Sequence, residues 1–385
     1  MAALSTGLSG ATVVERIRDW RSRIIADARF QHWAANSPLT RRLAQRKARA
    51  LFDICAGFVY SQVLSACVKL EVFDLLRAGP KTCEALAPRM SVSVPAARRL
   101  LKAAASLRLL RALPNDRFAL DDLGAAMIGN PAIAAFVAHH DLLYSDLRDP
   151  VALLRGEDET ALSRFWPYAV DRPDEVDNDA VQPDADRFGA YSELMSRTQA
   201  LVAETVLDAY RFDRHRRLMD VGGGEGAFLA AAAKRFPMLE LALFDLPAVA
   251  SRARARLGSL GIGARVETIG GDMLRDSLPG GADAISLVRV LHDHDDESAR
   301  ILLAAIRDAL PQGGAIVVAE PMAGAPGVEP MGDAYFGFYL LAMGRGRPRT
   351  MGEIAHLLKA AGFEAGREVK TRNPLVVSIF VAQRV

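Results

Sequence analysis

LMDVGGGEGAFLAAAAKRF, residues 218–236, runs from an apolar strand through a glycine turn into an alanine-rich helix. Strand, glycines and helix in that order make a cradle for a nucleotide-like ligand, because glycines let backbone approach it closely. Gly222-x-Gly224-x-x-Ala227 satisfies the loose dinucleotide pattern. Asp245 ends the next apolar run, where a carboxylate takes ribose hydroxyls, and Leu246 follows it. A nicotinamide dinucleotide and S-adenosylmethionine (SAM) fit these features equally.

Three further features separate the two. Asp220 stands directly before the glycines, where it would repel a pyrophosphate and suit the ammonium and sulfonium of SAM. Gly271-Asp272-Met273 follows the third strand and offers an acid for an adenine amino group beside an apolar side chain for the ring. The loop also comes after some 200 residues of mostly helical sequence, and the chain closes on an extra strand, NPLVVSIFVAQRV. The loop therefore reads as a SAM cradle.

Working outward, the texture alternates strand and helix from 190 to 385, with strands near 217–221, 240–245, 264–268, 283–290 and 314–320. That rhythm predicts an α/β doubly wound, Rossmann-like sheet. Residues 48–189 read as a helical domain. Within it 48–78 is apolar on too broad a face for one exposed helix, which points to a dimer interface. Helix, turn, helix and two short strands about Pro114-Asn115-Asp116 make a winged-helix pattern; the acidic, proline-bearing 171–187 reads as a surface loop. Arg98, Arg99 and Lys102 are a modest basic set, so nucleic acid is not an expected partner.

Residues 1–47 read as a basic amphipathic arm, in which Arg16, Arg18, Arg21 and Arg23 are interleaved with Trp20, Phe30 and Trp33. Such an arm packs on a partner subunit or lies on an anionic membrane surface. The whole chain is nearly balanced, 48 Lys and Arg against 46 Asp and Glu, so the arm's charge is local. Cys55, Cys67 and Cys83 are scattered, which predicts reduced thiols and no metal site. No signal pattern opens the chain and no run of ~18 apolar residues is evident, so a cytoplasmic protein, at most peripheral at the inner membrane, is expected.

The chemistry is expected where LVRVLHDHDDESARILLAAI leaves the fourth strand. His292 sits at a strand's carboxyl end, where open α/β sheets bind ligands, and a neutral imidazole suits removal of a proton from an oxygen acceptor. Glu320 ends the fifth strand and is placed to orient that imidazole. Arg289 is expected to reach the cofactor, and Asp293 to hold the substrate or cap the turn. Phe336 and Tyr339 lie in an aromatic and methionine stretch that reads either as core or as an acceptor wall. Thr350-x-x-Glu353 is a capping box.

DVGGGEG, FDLP, GDML, RVLHDHDD and VVAEPM together resemble the motifs of SAM-dependent O-methyltransferases of the caffeate and acetylserotonin type, over residues 48–385. The resemblance implies a homodimer with a winged-helix dimerisation domain and a Rossmann-like catalytic domain. It implies SAM contacts from Gly222, Gly224, Asp245, Gly271, Asp272, Met273 and Arg289, and His292 as general base with Glu320 beside it. It also implies an acceptor site that takes in Met195. Val288 replaces a family lysine, His294 a tryptophan, and Pro348 the glutamate of an ERT motif, so one carboxylate flanking the base is missing. LFDICAGFVYSQVLSACVKLEVFDLL and FYLLAMGRGRPRT are most similar to the bacterial members that methylate the tertiary C1 hydroxyl of acyclic carotenoids such as hydroxyneurosporene and demethylspheroidene. A lipophilic carotenoid acceptor is therefore expected. A phenolic or polyketide acceptor, a bacteriochlorophyll precursor, and a silent SAM-sensing or DNA-binding dimer are the alternatives.

Overall fold

A computed structural model describes residues 12–157, 159–165 and 199–385. Met195, the 171–187 stretch and the expected boundary at 189/190 lie outside the described residues. The chain divides into two compact units, Met1–Ala125 and Ala126–Val385.

The first unit carries helices α1 (Val13–Ala26), α2 (Ala28–Asn36), α3 (Arg41–Lys69), α4 (Val72–Leu76), α5 (Cys83–Leu86) and α6 (Val94–Ser106). Its strands β1 (Lys81–Thr82), β2 (Leu110–Leu113) and β3 (Arg117–Leu120) form an antiparallel sheet in the order β1-β3-β2. Thr82 and Ser93 cap α5 and α6 by accepting the amides of Ala85 and Ala96. Asn115 and Asp116, both at positive φ, turn β2 into β3 as the expected wing. Leu86, Leu101, Leu110 and Phe118 are buried beneath it. Arg98 on α6 is tied to Asp116 and Glu84 at 2.8 and 3.0 Å, which consumes part of the basic face.

Helix α3 runs unbroken through the expected arm boundary at 47/48. By length and composition alone it is also apolar enough to cross a membrane, although it holds no unbroken run of ~18 apolar residues. Its best 18-residue window has a mean hydropathy of 1.6 and is only 11% buried. Counting consecutive apolar residues missed it, because Asp53 and small polar residues interrupt the run without lowering the mean far.

Helix α7 (Asp122–Ile128) crosses the divide between the units, and α8 (Pro131–Asp146), α9 (Pro150–Arg155) and α10 (Ala161–Phe165) follow. After a helix over 199–209, here α11, comes a seven-stranded sheet. Its strands are β4 (Arg217–Val221), β5 (Glu240–Asp245), β6 (Val266–Gly270), β7 (Ala284–Val288), β8 (Ala315–Glu320), β9 (Phe363–Val369) and β10 (Ser378–Arg384), in the order β6-β5-β4-β7-β8-β10-β9. The first five are parallel, and β10 pairs antiparallel with both β8 and β9. The crossovers include α12 (Ala227–Arg235), α13 (Pro247–Ser259), α14 (Asp296–Ala309) and α16 (Met351–Ala360). Alternate residues of each strand enter two cores: Leu218 and Leu243 pack on one face, Met219 and Phe244 on the other.

Strand β9 went unread in the sequence. FEAGREV has no apolar alternation, since after buried Phe363 its next five residues are exposed at the sheet edge. The last strand is accordingly not alone. The order reverses at β4, whose neighbours are β5 and β7, so the carboxyl ends of β4, β5, β7 and β8 open on a common crevice.

Candidate active site

The glycine turn leaves β4 as expected. The Gly222 amide donates to the Phe244 carbonyl at 2.8 Å, which binds the turn to β5. Gly222 has φ +70°, and a Cβ there would lie 2.9 Å from Val290 Cγ2 and 3.4 Å from Met273 Cε. Only glycine serves at such a position, and Met273 is thereby brought to the same place as the turn. The Gly224 amide donates to Asp245 Oδ2 at 2.8 Å, and the Leu246 amide to Oδ1 at 2.7 Å. A carboxylate oxygen takes a second donor, so Asp245 keeps capacity for hydroxyls.

Asp220 is 1% exposed. Its Oδ1 accepts from Ser286 Oγ at 2.6 Å, while Oδ2 is buried with no partner, directly under the turn. Burial pushes this carboxyl up to about 7, with the Asp245 charge adding and the serine bond opposing. Asp272, beside Gly271, accepts the Leu274 amide at 2.9 Å and lies 3.5 Å from Arg275 Nε.

His292 sits in a single tight turn, Leu291–Asp293, after β7. The ring is 3% exposed. Nε2 lies 3.3 Å from Asp293 Oδ1, and Nδ1 has no partner. Burial first, then the charges of Arg289, His294 and Arg349, hold the imidazole well below its ordinary value, so it is neutral at neutral pH. Burial pushes Asp293 up to about 8, and Glu320 adds to this while Arg289 opposes.

One sequence expectation meets a different geometry. Glu320 is fully buried, but its Oε2 accepts the His292 backbone amide at 3.0 Å rather than a ring nitrogen; Oε1 has no partner. The carboxylate beside the ring is Asp293. Arg289, at φ +60° with its amide on the Ala319 carbonyl, exerts its charge on His292, Asp293, Tyr335 and Tyr339.

Those aromatics come from a π-helical turn, Pro330–Phe336, running into α15 (Gly337–Ala342). The Phe336 ring centroid is 6.0 Å from that of His292. Helix α8 supplies two histidines that the sequence reading passed over. His139 Nε2 is 2.9 Å from Tyr339 Oη, and His140 Nε2 is 2.9 Å from Tyr335 Oη. Burial, with His140 and Arg289 nearby, pushes His139 down to about 4, so the histidine of this hydrogen-bonded pair is neutral. Among the described residues no cluster of three or more His, Cys, Asp or Glu is placed to hold a metal ion.

A second missed feature is the loop before α16. Arg349 is fully buried. Its guanidinium donates to the carbonyls of Leu291 and His294 at 2.7 and 2.8 Å, and to Asp296 at 2.8 and 3.0 Å. The Arg347 amide donates to the His292 carbonyl at 2.9 Å. A Cβ on Gly346, at φ +79°, would lie 2.1 Å from that carbonyl. The whole loop clasps the turn that carries His292. The one sequence signal was three arginines alternating with glycine and proline, GRGRPRT, which reads as an exposed loop.

The profile of an O-methyltransferase domain matches residues 144–364, and that of an O-methyltransferase dimerisation domain matches 52–129. The chain belongs to the O-methyltransferase family. It is 44% identical over 362 residues to the demethylspheroidene O-methyltransferase of Cereibacter sphaeroides, covering 94% of each chain. It is 33% identical to the acetylserotonin O-methyltransferase of Mus musculus over 86% of this chain and 87% of that one. Among solved structures, the mitomycin 7-O-methyltransferase MmcR superposes with a TM-score of 0.71 at 26% identity, covering 89% of this chain and all of that one. This O-methyltransferase is SAM-dependent, as the motifs implied. Its dimerisation domain supports a homodimer and begins on α3, where Phe52, Ile54 and Phe58 are exposed.

Proposed function

We propose that the enzyme methylates the tertiary C1 hydroxyl of an acyclic carotenoid of the demethylspheroidene type. The observation that carries this is the 44% identity to a demethylspheroidene O-methyltransferase over nearly the full length of both chains. The aromatic rings of Phe336 and Tyr339, with a neutral His139, support it, because a polyene packs on rings and brings no charge to pair.

SAM, when bound, supplies an electrophilic methyl on a sulfonium. The residues fit it: Gly224 is open to space where a ligand can approach the backbone, and Asp220 holds an unpartnered buried oxygen beneath the turn. In this reading Asp245 holds ribose hydroxyls, and Gly271, Asp272 and Met273 flank the adenine. The neutral imidazole of His292, with Asp293 3.3 Å from its Nε2, removes the acceptor proton. A tertiary alcohol is a weak acid, so His292 would have to be held at the acceptor hydroxyl and take its proton only as that oxygen reacts. Positioning then contributes much of the rate.

The test is a methyl-transfer assay with purified enzyme, SAM, a detergent-dispersed 1-hydroxy acyclic carotenoid and, in parallel, a catechol, with products read by mass. Methylated carotenoid is expected; methylation of the catechol alone overturns the acceptor assignment.

The site carboxyls give a second expectation. Asp220, Asp293 and Glu320 are raised to about 7, 8 and 7, so the folded chain keeps protons there that the unfolded chain loses near 4. Their contribution to stability is complete below the unfolded values and is lost as pH rises toward 7–8. A cationic ligand beside Asp220 favours its ionised form. The rise in Tm on adding SAM is therefore expected to grow from about pH 5 to about pH 7, through the raised value of Asp220. A rise that shrinks with pH would remove the cation-binding role of Asp220.

A further inference from the structure

Helix α1 buries none of its residues. It is nonetheless a well-specified helix, started by a capping box in which Thr12 and Glu15 exchange bonds. At about 100° per residue, Val13, Ile17, Trp20 and Ile24 fall in one stripe. Val13, Ile17 and Trp20 are 73, 59 and 64% exposed. Arg16 and Arg23 border the stripe on one side and Arg21 on the other, all exposed. Glu15 falls on the opposite face, with Arg18 and Asp19 to either side of it. Helix α2 adds Phe30 and exposed Trp33, with ring centroids 5.7 Å apart. Trp20, Arg23, Ile24, Asp27 and Phe30 line a shallow groove where the two helices meet.

We propose that α1 docks on an anionic lipid bilayer, stripe inward, with its arginines on lipid phosphates. Arginines on both flanks of an apolar stripe are what an interfacial helix requires: the guanidinium groups snorkel to the phosphates while Trp20 sits at headgroup depth. A protein partner covering the stripe would need acidic residues on both sides of it, whereas an anionic surface supplies phosphate wherever an arginine lands. The docking would bring the enzyme to the membrane in which a carotenoid acceptor dissolves. It rests on the proposed acceptor for its purpose alone.

The test is flotation of the full-length protein with vesicles of phosphatidylcholine, or of phosphatidylcholine mixed with phosphatidylglycerol, with no acceptor present. Binding to the mixed vesicles is expected, weakening as salt is raised. Trp20→Glu combined with Ile17→Glu should reduce the bound fraction at least ~10-fold while methyl transfer to detergent-dispersed acceptor is kept. Equal floating of wild type and variant, or no floating by either, overturns the proposal. So does conversion of a dimer to a monomer by the variant in analytical ultracentrifugation, since the stripe would then belong to a second copy. Because no acceptor is used, failure here leaves the reaction assignment standing, and failure of the carotenoid assay leaves lipid binding measurable.

Discussion

Replacing His292 with alanine is expected to abolish methyl transfer, with kcat falling by at least ~10²- to 10⁴-fold, the usual worth of a positioned base. SAM affinity, read by calorimetry, should change little. The glycine turn, Asp220 and Asp245 are held by contacts of their own: the Phe244 carbonyl, Ser286 and the Gly224 amide. The backbone amide of residue 292 remains to bind Glu320 in the variant, so the turn itself should persist. His292→Gln keeps a polar group of similar size without basicity and should be as inactive as alanine. Turnover near the wild-type rate in either variant would remove His292 from the proton step and direct attention to the His139–Tyr339 pair.

Arg349→Met is expected to be the most damaging substitution outside the reacting groups. The guanidinium is fully buried and serves two carbonyls and Asp296. Its removal strands those acceptors, at a cost on the order of 3–5 kcal/mol. Methionine fills the volume, so the loss is one of hydrogen bonds and charge rather than of packing. Tm should fall, and kcat should fall at least ~10-fold because the carbonyls clasped belong to the turn that sets the imidazole. Arg349 acts through His292 and is a positioning residue, which a pH profile can reveal. Its charge helps hold the imidazole low, so the acidic limb of kcat/KM should move to higher pH in the variant. Arg349→Lys keeps the charge but not the planar fork, and should hold the pH limb while losing part of the stability. A pH limb unmoved in Arg349→Met would reduce the residue to a purely structural one.

Much of the site was legible before any coordinates. Local physics writes the glycine turn into sequence: an apolar strand, glycines where backbone must reach positive φ, and a helix beginning at Ala227. The capping box at Thr350 is similarly local and stands as read. Strand β9 was illegible because an edge strand facing solvent carries no hydrophobic period. The span-like apolarity of α3 was missed because it is an average over a window rather than an unbroken run.

The sequence by itself determined the parallel sheet and its glycine cradle, the winged hairpin at Asn115-Asp116, and, through the resemblance of an ordered motif set, the O-methyltransferase family. Each depends on neighbours within a turn or two of chain, where backbone conformation and side-chain periodicity are set. Only the tertiary structure decided which groups surround the base. Asp293, not Glu320, lies beside the ring. His139 meets Tyr339 across 200 positions of sequence, and Arg349 reaches Leu291 across 58. Such contacts are products of chain crossing and burial, which neither spacing nor composition encodes.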